Sequence, residues 1–239
     1  MQAISITGFK NSGKTTLTLL LAQALERRGL RVAVAKRSHH PLDKPHTDTG
    51  ALRAPGRTVL GITEEETAIF WGEERPLPDM LPLLHADILL LEGGKNRTWL
   101  PRILCLRNPA EADALNSGLA LASFGPVAAP GLPHFTAGTP DSIDALAELA
   151  SRKAFALPGL DCGACGRENC LGLAQAIVRG EASVDDCAAQ GGEVQVRIDG
   201  SPLPLNPFTA RVLGGAVRGM LQEMKGIAPG KVVLEMTMK

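Results

Sequence analysis

The stretch Ile4-Ser5-Ile6-Thr7-Gly8-Phe9-Lys10-Asn11-Ser12-Gly13-Lys14-Thr15-Thr16 decides the fold. A short apolar strand stops at Gly8, and Gly8-x-x-x-x-Gly13-Lys14-Thr15 then fills every position of a phosphate-binding loop. The two glycines permit a tight turn and a close approach of main chain to an anion, so that successive N–H groups form a cradle. Lys14 is the side chain that reaches the β- and γ-phosphates, and the Thr15 hydroxyl faces Mg²⁺. Gly8, Asn11, Ser12, Gly13, Lys14, Thr15 and Thr16 are therefore the expected nucleotide-binding residues. Residues 14–28 read as a helix whose positive end points at the same anion. The bland alternative is a chance glycine-rich turn. It gives no reason for the motif to lie between a strand and a helix, the context the chemistry requires.

Working outward, residues 31–36 are apolar with little alternation, as in a parallel strand buried on both faces. Residues 58–62 and 66–71 read as short, paired strands, and 77–85 as a short helix. Residues 86–92 form the next clear strand, ending in Glu92-Gly93-Gly94. Parallel strands deliver their C-terminal ends to one ligand-binding edge. Glu92 is thereby placed beside the phosphates as a candidate for the Mg²⁺ shell, whereas Asp87 lies roughly 16 Å back along an extended strand. Strands at 102–106, 119–123, 127–129 and 135–137, and a helix at 141–153 capped by Asp141, complete the pattern. It specifies an α/β domain over residues 1–156, a P-loop NTPase with a doubly wound, mostly parallel sheet.

The polar loop 37–49 holds His39, His40, Asp43, His46 and Asp48. A carboxylate here contacts Mg²⁺ or orients the attacking water in many P-loop proteins, so Lys14, Asp48 and Glu92 form the candidate catalytic set. A solvated loop carboxylate is the competing reading of Asp48, and the histidine spacing suits a metal poorly. Lys10 either adds charge near the phosphates or faces solvent. Arg107-Asn108 follows a strand at the ligand edge, but no Asn-Lys-x-Asp guanine signature accompanies it.

Beyond Pro158-Gly159 the grammar changes. Four of the five cysteines fall at 162, 165, 170 and 187, with two, four and sixteen residues between them. Three thiols crowd one loop and a fourth arrives from beyond a helix at 171–179. That suits a cubane cluster, and Gly163 and Gly166 let the loop fold tightly around it. Structural zinc is the rival, although its ligands more often come in two separated pairs. Cys162, Cys165, Cys170 and Cys187 are the candidate ligands of a [4Fe–4S] cluster, and Cys105, inside a strand, reads as a buried thiol. A hairpin at 194–205, a helix capped by Asn206 and a strand at 231–236 follow. Residues 157–239 thus read as a small α+β iron–sulfur module, of a size that a metal centre helps to stabilise.

Composition narrows the function. Lys+Arg and Asp+Glu balance at 25 each, and aromatic residues make up 3% with no Tyr. A nucleic-acid binder would show a basic excess and stacking platforms. No apolar run approaches the roughly 18 residues of a membrane span. The chain runs straight into its first strand without a leader, so a cytoplasmic location is expected. An odd cysteine count in a reducing compartment favours metal binding over disulfides.

Taken jointly, the order of motifs in residues 1–153 resembles the MobB family of molybdopterin-guanine dinucleotide biosynthesis adaptors. The motifs are the Gly8–Thr16 loop, Gly29-Leu-Arg-Val-Ala-Val-Ala-Lys-Arg-Ser-His-His40, Asp43-Lys-Pro-His-Thr-Asp-Thr49 and Asp87-Ile-Leu-Leu-Leu-Glu-Gly-Gly-Lys95. The resemblance implies GTP and Mg²⁺ binding, weak GTPase activity and a homodimer. It also implies partnership with a molybdopterin guanylyltransferase-type enzyme or a molybdenum or tungsten enzyme client. By position it marks Gly8–Thr16, Asp48 and Glu92. The family's usual Glu-Gly-Phe/Tyr-Lys stands here as Glu92-Gly93-Gly94-Lys95. Residues 157–192 are similar to the four-cysteine [4Fe–4S] domain of corrinoid iron–sulfur and related anaerobic redox proteins. Two other functions fit the same motifs: a redox maturation factor gated by NTP hydrolysis, and a non-catalytic, nucleotide-loaded scaffold with a structural cluster.

Overall fold

A computed structural model describes residues 1–38, 41–43, 47–190, 194–198, 201–224, 230 and 232–233. His39, His40 and His46, the turn at Asp199-Gly200 and most of the strand expected at 231–236 lie outside them. By its contacts the chain divides into two compact units, Met1–Cys187 and Ala188–Lys239.

The first unit begins with β1 (Gln2–Thr7), α1 (Lys14–Arg27), β2 (Val32–Lys36) and α2 (Asp48–Leu52). Next come β3 (Val59–Ile62), β4 (Thr67–Phe70), α3 (Leu77–Met80) and β5 (Ile88–Glu92). It continues through β6 (Arg102–Cys105), α4 (Ala110–Leu115), β7 (Ala120–Phe124), β8 (His134–Phe135), α5 (Pro140–Lys153) and α6 (Cys170–Arg179). Six strands form one parallel sheet in the order β2-β5-β1-β6-β7-β8. β3 and β4 pair as a separate antiparallel hairpin. The doubly wound α/β sheet read from the sequence is therefore present, with the P-loop strand near its centre.

Alternation along the strands sorts side chains to two faces. Ile4, Ile6, Ile88, Leu90, Ile103 and Leu121 meet Leu17, Leu21 and Leu25 of α1 and Ile143, Leu146 and Ala150 of α5. Leu104 and Leu106 point the other way, onto Ala112 and Leu115 of α4 and Ala129. Burying each such leucine or isoleucine contributes about 1.5–3 kcal/mol. Gly29, in the left-handed region at φ 83°, ends α1 as expected.

Three local readings change, and one helix, α4, is added. β2 is an edge strand, not one buried on both faces: it pairs with β5 alone and leaves Val34 51% exposed. Its apolar run is half-buried, with Val32 packed against the core. Residues 127–129 form no strand; they fold back so that the Ala129 N–H donates to Ser123 Oγ. Thr139, not Asp141, is the N-cap residue of α5, with Pro140 inside the first turn. Helix α4 carries no long periodic pattern. It starts where Glu111 accepts hydrogen bonds from the Arg107 N–H and guanidinium.

β2 is tied to β5 at the far end from the ligand edge. Asp87 accepts from the Arg31 N–H and guanidinium at 2.7–3.1 Å, and these contacts hold its carboxyl down at about 2. A depressed acid contributes stability above its unfolded value, here 3.8, and that stability is lost as pH falls through the folded value. Asp87→Asn is expected to lower the thermal midpoint at neutral pH. The difference from the parent should shrink between about pH 4 and pH 2, as followed by circular dichroism melts across that window.

The second unit contains an antiparallel pair, β9 (Val196–Ile198) and β10 (Ser201–Leu203), then α7 (Pro207–Gln222). Asn206 Oδ1 accepts the Thr209 N–H at 2.9 Å and Pro207 takes the first helical position, the capping read from the sequence.

Candidate functional site

The strand ends of β1, β2 and β5 bring the site together. Parallel register sets Ile6 and Lys36 on either side of Glu92. Beyond Thr7 the chain turns through Asn11 (φ 61°) and Gly13 (φ 84°) into α1, whose N-terminus no side chain caps. Left-handed backbone at Asn11 and Gly13 aims consecutive N–H groups inward, as an anion cradle needs. Gly8 has no room for a side chain, since a Cβ there would stand 2.3 Å from Ser12 Oγ and 2.6 Å from the Cys105 carbonyl. Ser12 Oγ is buried and lacks a partner among the described residues. An orphan hydroxyl on a glycine-turned loop at a helix start fits a phosphate oxygen.

The charged groups are already grouped. The Thr15 hydroxyl donates to Glu92 Oε1 at 3.0 Å, and the Lys36 ammonium sits 2.9 Å from the same oxygen. Glu92 is 8% exposed, and a buried carboxylate needs such partners. Lys14 Nζ donates to the Phe9 carbonyl, and Lys95 Nζ lies 5.7 Å from the centre of the Phe9 ring. Cys105 lies beneath the loop, fully buried as expected. Burial pushes its thiol up to about 12, which leaves it inert as a nucleophile.

Thr15 and Glu92 are thus in contact, and Lys14 precedes Thr15 at the start of α1. Asp48 stands exposed at the first position of α2, and among the described residues none of its hydrogen bonds or ion pairs reaches Lys14, Thr15 or Glu92. Asp43 accepts from Thr47 and Thr49 and so shapes its own loop. Lys10 is exposed. Lys36 and Lys95 were missed by sequence reasoning. Lys36 was legible only as the last residue of its strand, and its place beside Glu92 needed the strand order; Lys95 needed the fold of the loop after Gly94.

Arg102 holds that loop. Its guanidinium, on a side chain 1% exposed, donates to the carbonyls of Lys95, Arg97 and Leu115 at 2.7–3.1 Å. Burial lowers its pKa. Trp99, buried on the same loop, accepts the Leu157 N–H at 2.9 Å, and Gly159 packs on its ring. Gln175 of α6 donates to the Ser117 carbonyl at 2.7 Å. The cysteine segment 157–187 therefore packs with the sheet.

Within that segment Cys162 is exposed, Cys165 half-buried, and Cys170 and Cys187 are buried. Gly163 and Gly166 take left-handed backbone. Among the described residues no three cysteine, histidine or carboxylate side chains converge as a metal cage. The donor set fits a cluster by its chemistry: four thiols and no disulfide, on a glycine-turned loop and the start of α6. Burial raises the Cys170 thiol. The Asp161 N–H opposes the shift, and the charges of Asp161 and Cys187 add to it.

This sheet order and loop define an α/β protein of the P-loop NTPase fold. Molybdopterin guanine dinucleotide synthesis protein B, the MobB family, matches residues 3–123, and the chain belongs to that family. A second family, described as "Putative Fe-S cluster", matches residues 157–189. The chain is 27% identical over 241 residues to a Methanocaldococcus jannaschii protein named "Putative molybdopterin-guanine dinucleotide biosynthesis adapter protein", covering 98% of this chain and 96% of that one. It is 36% identical over 114 residues to the adapter protein of Haemophilus influenzae, covering 44% of this chain and 62% of that one. Its fold matches the crystal structure of Bacillus subtilis MobB with a TM-score of 0.51 at 22% identity, over 62% of this chain and 98% of that one. No helix among the described residues is long and apolar enough to cross a membrane.

Proposed function

We propose that this chain is a GTP-binding adaptor with slow GTPase activity that serves molybdenum or tungsten cofactor biosynthesis and carries a [4Fe–4S] cluster. The observation that carries the reading is the Thr15–Glu92 contact beside a loop whose Ser12 hydroxyl and uncapped helix end await an anion. Gly8, Asn11, Ser12, Gly13, Thr15 and Thr16 cradle the phosphates, and Lys14 leaves the Phe9 carbonyl to reach them. Thr15 and Glu92 would hold Mg²⁺, which would supply positive charge against the phosphates, and Lys36 stands on the same Glu92 oxygen. Asp48 is assigned to orient the attacking water.

Residues 1–156 are assigned to the nucleotide and residues 157–239 to the cluster module, with Cys162, Cys165, Cys170 and Cys187 as ligands. A homodimer is supported by the open β2 edge and by Val34, Leu60, Ile62 and Ile69, which are 45–70% exposed. The partner is a molybdopterin guanylyltransferase-type enzyme or its metalloenzyme client, and the location is cytoplasmic. One observation favours a second reading, nucleotide-gated electron delivery to a metalloenzyme: Trp99, on the loop that follows Glu92, touches the cysteine segment.

Anaerobic equilibrium titration with GTP and ATP, each with Mg²⁺, tests the first reading. GTP is expected to bind at least about tenfold tighter, a difference of ~1.4 kcal/mol, and the protein should capture a molybdopterin-processing enzyme. Equal affinities would remove the guanine assignment.

A further inference from the structure

We propose that Asp161 is a positioning residue for Cys170: it fixes the thiol as a ligand before any cluster arrives and sets the charge beside it. The inference rests on the cluster reading for its redox part only. Two hydrogen bonds run in opposite directions between these residues. Asp161 Oδ1 accepts the Cys170 N–H at 2.8 Å, and the Asp161 N–H donates to Cys170 Sγ at 3.4 Å. One residue thus holds both the backbone and the sulfur of another nine positions away. Cys170 is the first residue of α6, so its N–H has no partner within the helix. Asn169 satisfies a different one, the Gly172 N–H, at 3.0 Å.

The backbone of Asp161 carries the second observation. Its φ is 46°, and Asn11 in the phosphate loop is the other non-glycine with positive φ among the described residues. Left-handed backbone is unfavourable for most side chains and tolerable for Asp and Asn. Such a conformation persists where surrounding contacts over-determine it. Here it turns both the N–H and the carboxylate of Asp161 toward Cys170. The neighbouring Cys162 begins the glycine-turned loop, so Asp161 clasps that loop to the buried start of α6.

Two consequences follow. The clasp pre-orders Cys170, which lowers the ordering needed when four thiolates converge. The carboxylate also places negative charge beside a thiolate ligand. A negative charge disfavours the more reduced, more negative form of a bound cluster, whereas the N–H···S bond favours it.

Two variants separate the parts. Asp161→Asn keeps the acceptor and the left-handed backbone and removes the charge. Asp161→Gly relieves the backbone and removes the acceptor. In the apo protein, Asp161→Gly is expected to speed hydrogen exchange of the Cys170 amide at least about tenfold relative to the parent, and Asp161→Asn to leave it within about threefold. After anaerobic reconstitution at limiting iron and sulfide, Asp161→Gly should hold half the iron of the parent or less. Asp161→Asn should load fully. In a dye-equilibrated one-electron titration with a chemical reductant, its reduced-to-oxidised ratio at fixed potential should rise about threefold. Unchanged Cys170 exchange and full iron loading in Asp161→Gly would overturn the positioning role, and an unchanged ratio in Asp161→Asn would overturn the electrostatic one. A parent protein that takes up no iron overturns the cluster reading and with it the redox part. The exchange measurement on apo protein still decides whether Asp161 holds Cys170.

Discussion

Lys14→Ala is expected to weaken nucleotide binding by about a hundredfold or more while leaving the cluster chromophore intact. The magnitude follows from what the ammonium would do in the loop. It contacts two phosphate groups, and a hydrogen bond to a charged group contributes about 1.5–3 kcal/mol net. Losing two such contacts removes about 3–6 kcal/mol, and each 1.4 kcal/mol is a factor of ten. The main-chain cradle and the α1 N-terminus remain, so residual affinity survives. Folding should be little affected, because Lys14 is half-exposed and its hydrogen bond is to the Phe9 carbonyl at the surface. The measurement is an equilibrium titration with a fluorescent GTP analogue, with visible absorption recorded on the same sample. Affinity retained within a factor of about two would mean that the nucleotide sits elsewhere.

The grip that Lys14 would exert was legible in the sequence because a phosphate loop is a local device. Four residues between two glycines, with the Lys-Thr that follows, specify turn, donors and helix start without help from the rest of the chain. The sheet order was also legible in outline, since buried parallel strands announce themselves as apolar runs. β2 shows where that logic stops. Its run Val32-Ala-Val-Ala35 looks like a central strand, yet it lies on the sheet edge with Val34 half-exposed. Hydrophobicity reports that a surface is to be covered; among the described residues Val32 packs against the core while Val34 is left 51% exposed.

The polar network around Glu92 needed the fold for a different reason. Lys36 and Glu92 are 56 positions apart, and only strand register brings them to 2.9 Å. Arg102 is further from reach. An arginine in a strand pattern reads as an outward-facing residue, yet here three backbone carbonyls replace its water. Buried guanidinium groups need such partners, and among the described residues Arg102 Nε is left without one. The Asp161–Cys170 clasp combines both difficulties, because a left-handed aspartate and an amide–sulfur contact leave no periodic trace.

Replacing Cys170 by Ser is expected to cost the protein more than half its iron and the broad visible absorption, with nucleotide affinity unchanged. Cys170 is 8% exposed at the start of α6, and Asp161 holds both its N–H and its sulfur. A hydroxyl in that place remains protonated at neutral pH and is a poor substitute for a thiolate. Serine fits the volume, but burying its hydroxyl costs about 1–3 kcal/mol if it stays unpaired. Cys162→Ser is therefore the companion variant. Cys162 is exposed, so the substitution does not disturb packing, and it should produce the same loss of colour. Iron, zinc and acid-labile sulfide are measured together on the parent. A colourless protein with about one zinc and no sulfide would assign the four thiols to a structural metal. Four irons retained in both variants would show that these cysteines are not the ligands. Loss of iron in both, with GTP still bound, would show that the nucleotide site keeps its form without the cluster and would leave the Trp99 contact as the place to look for coupling.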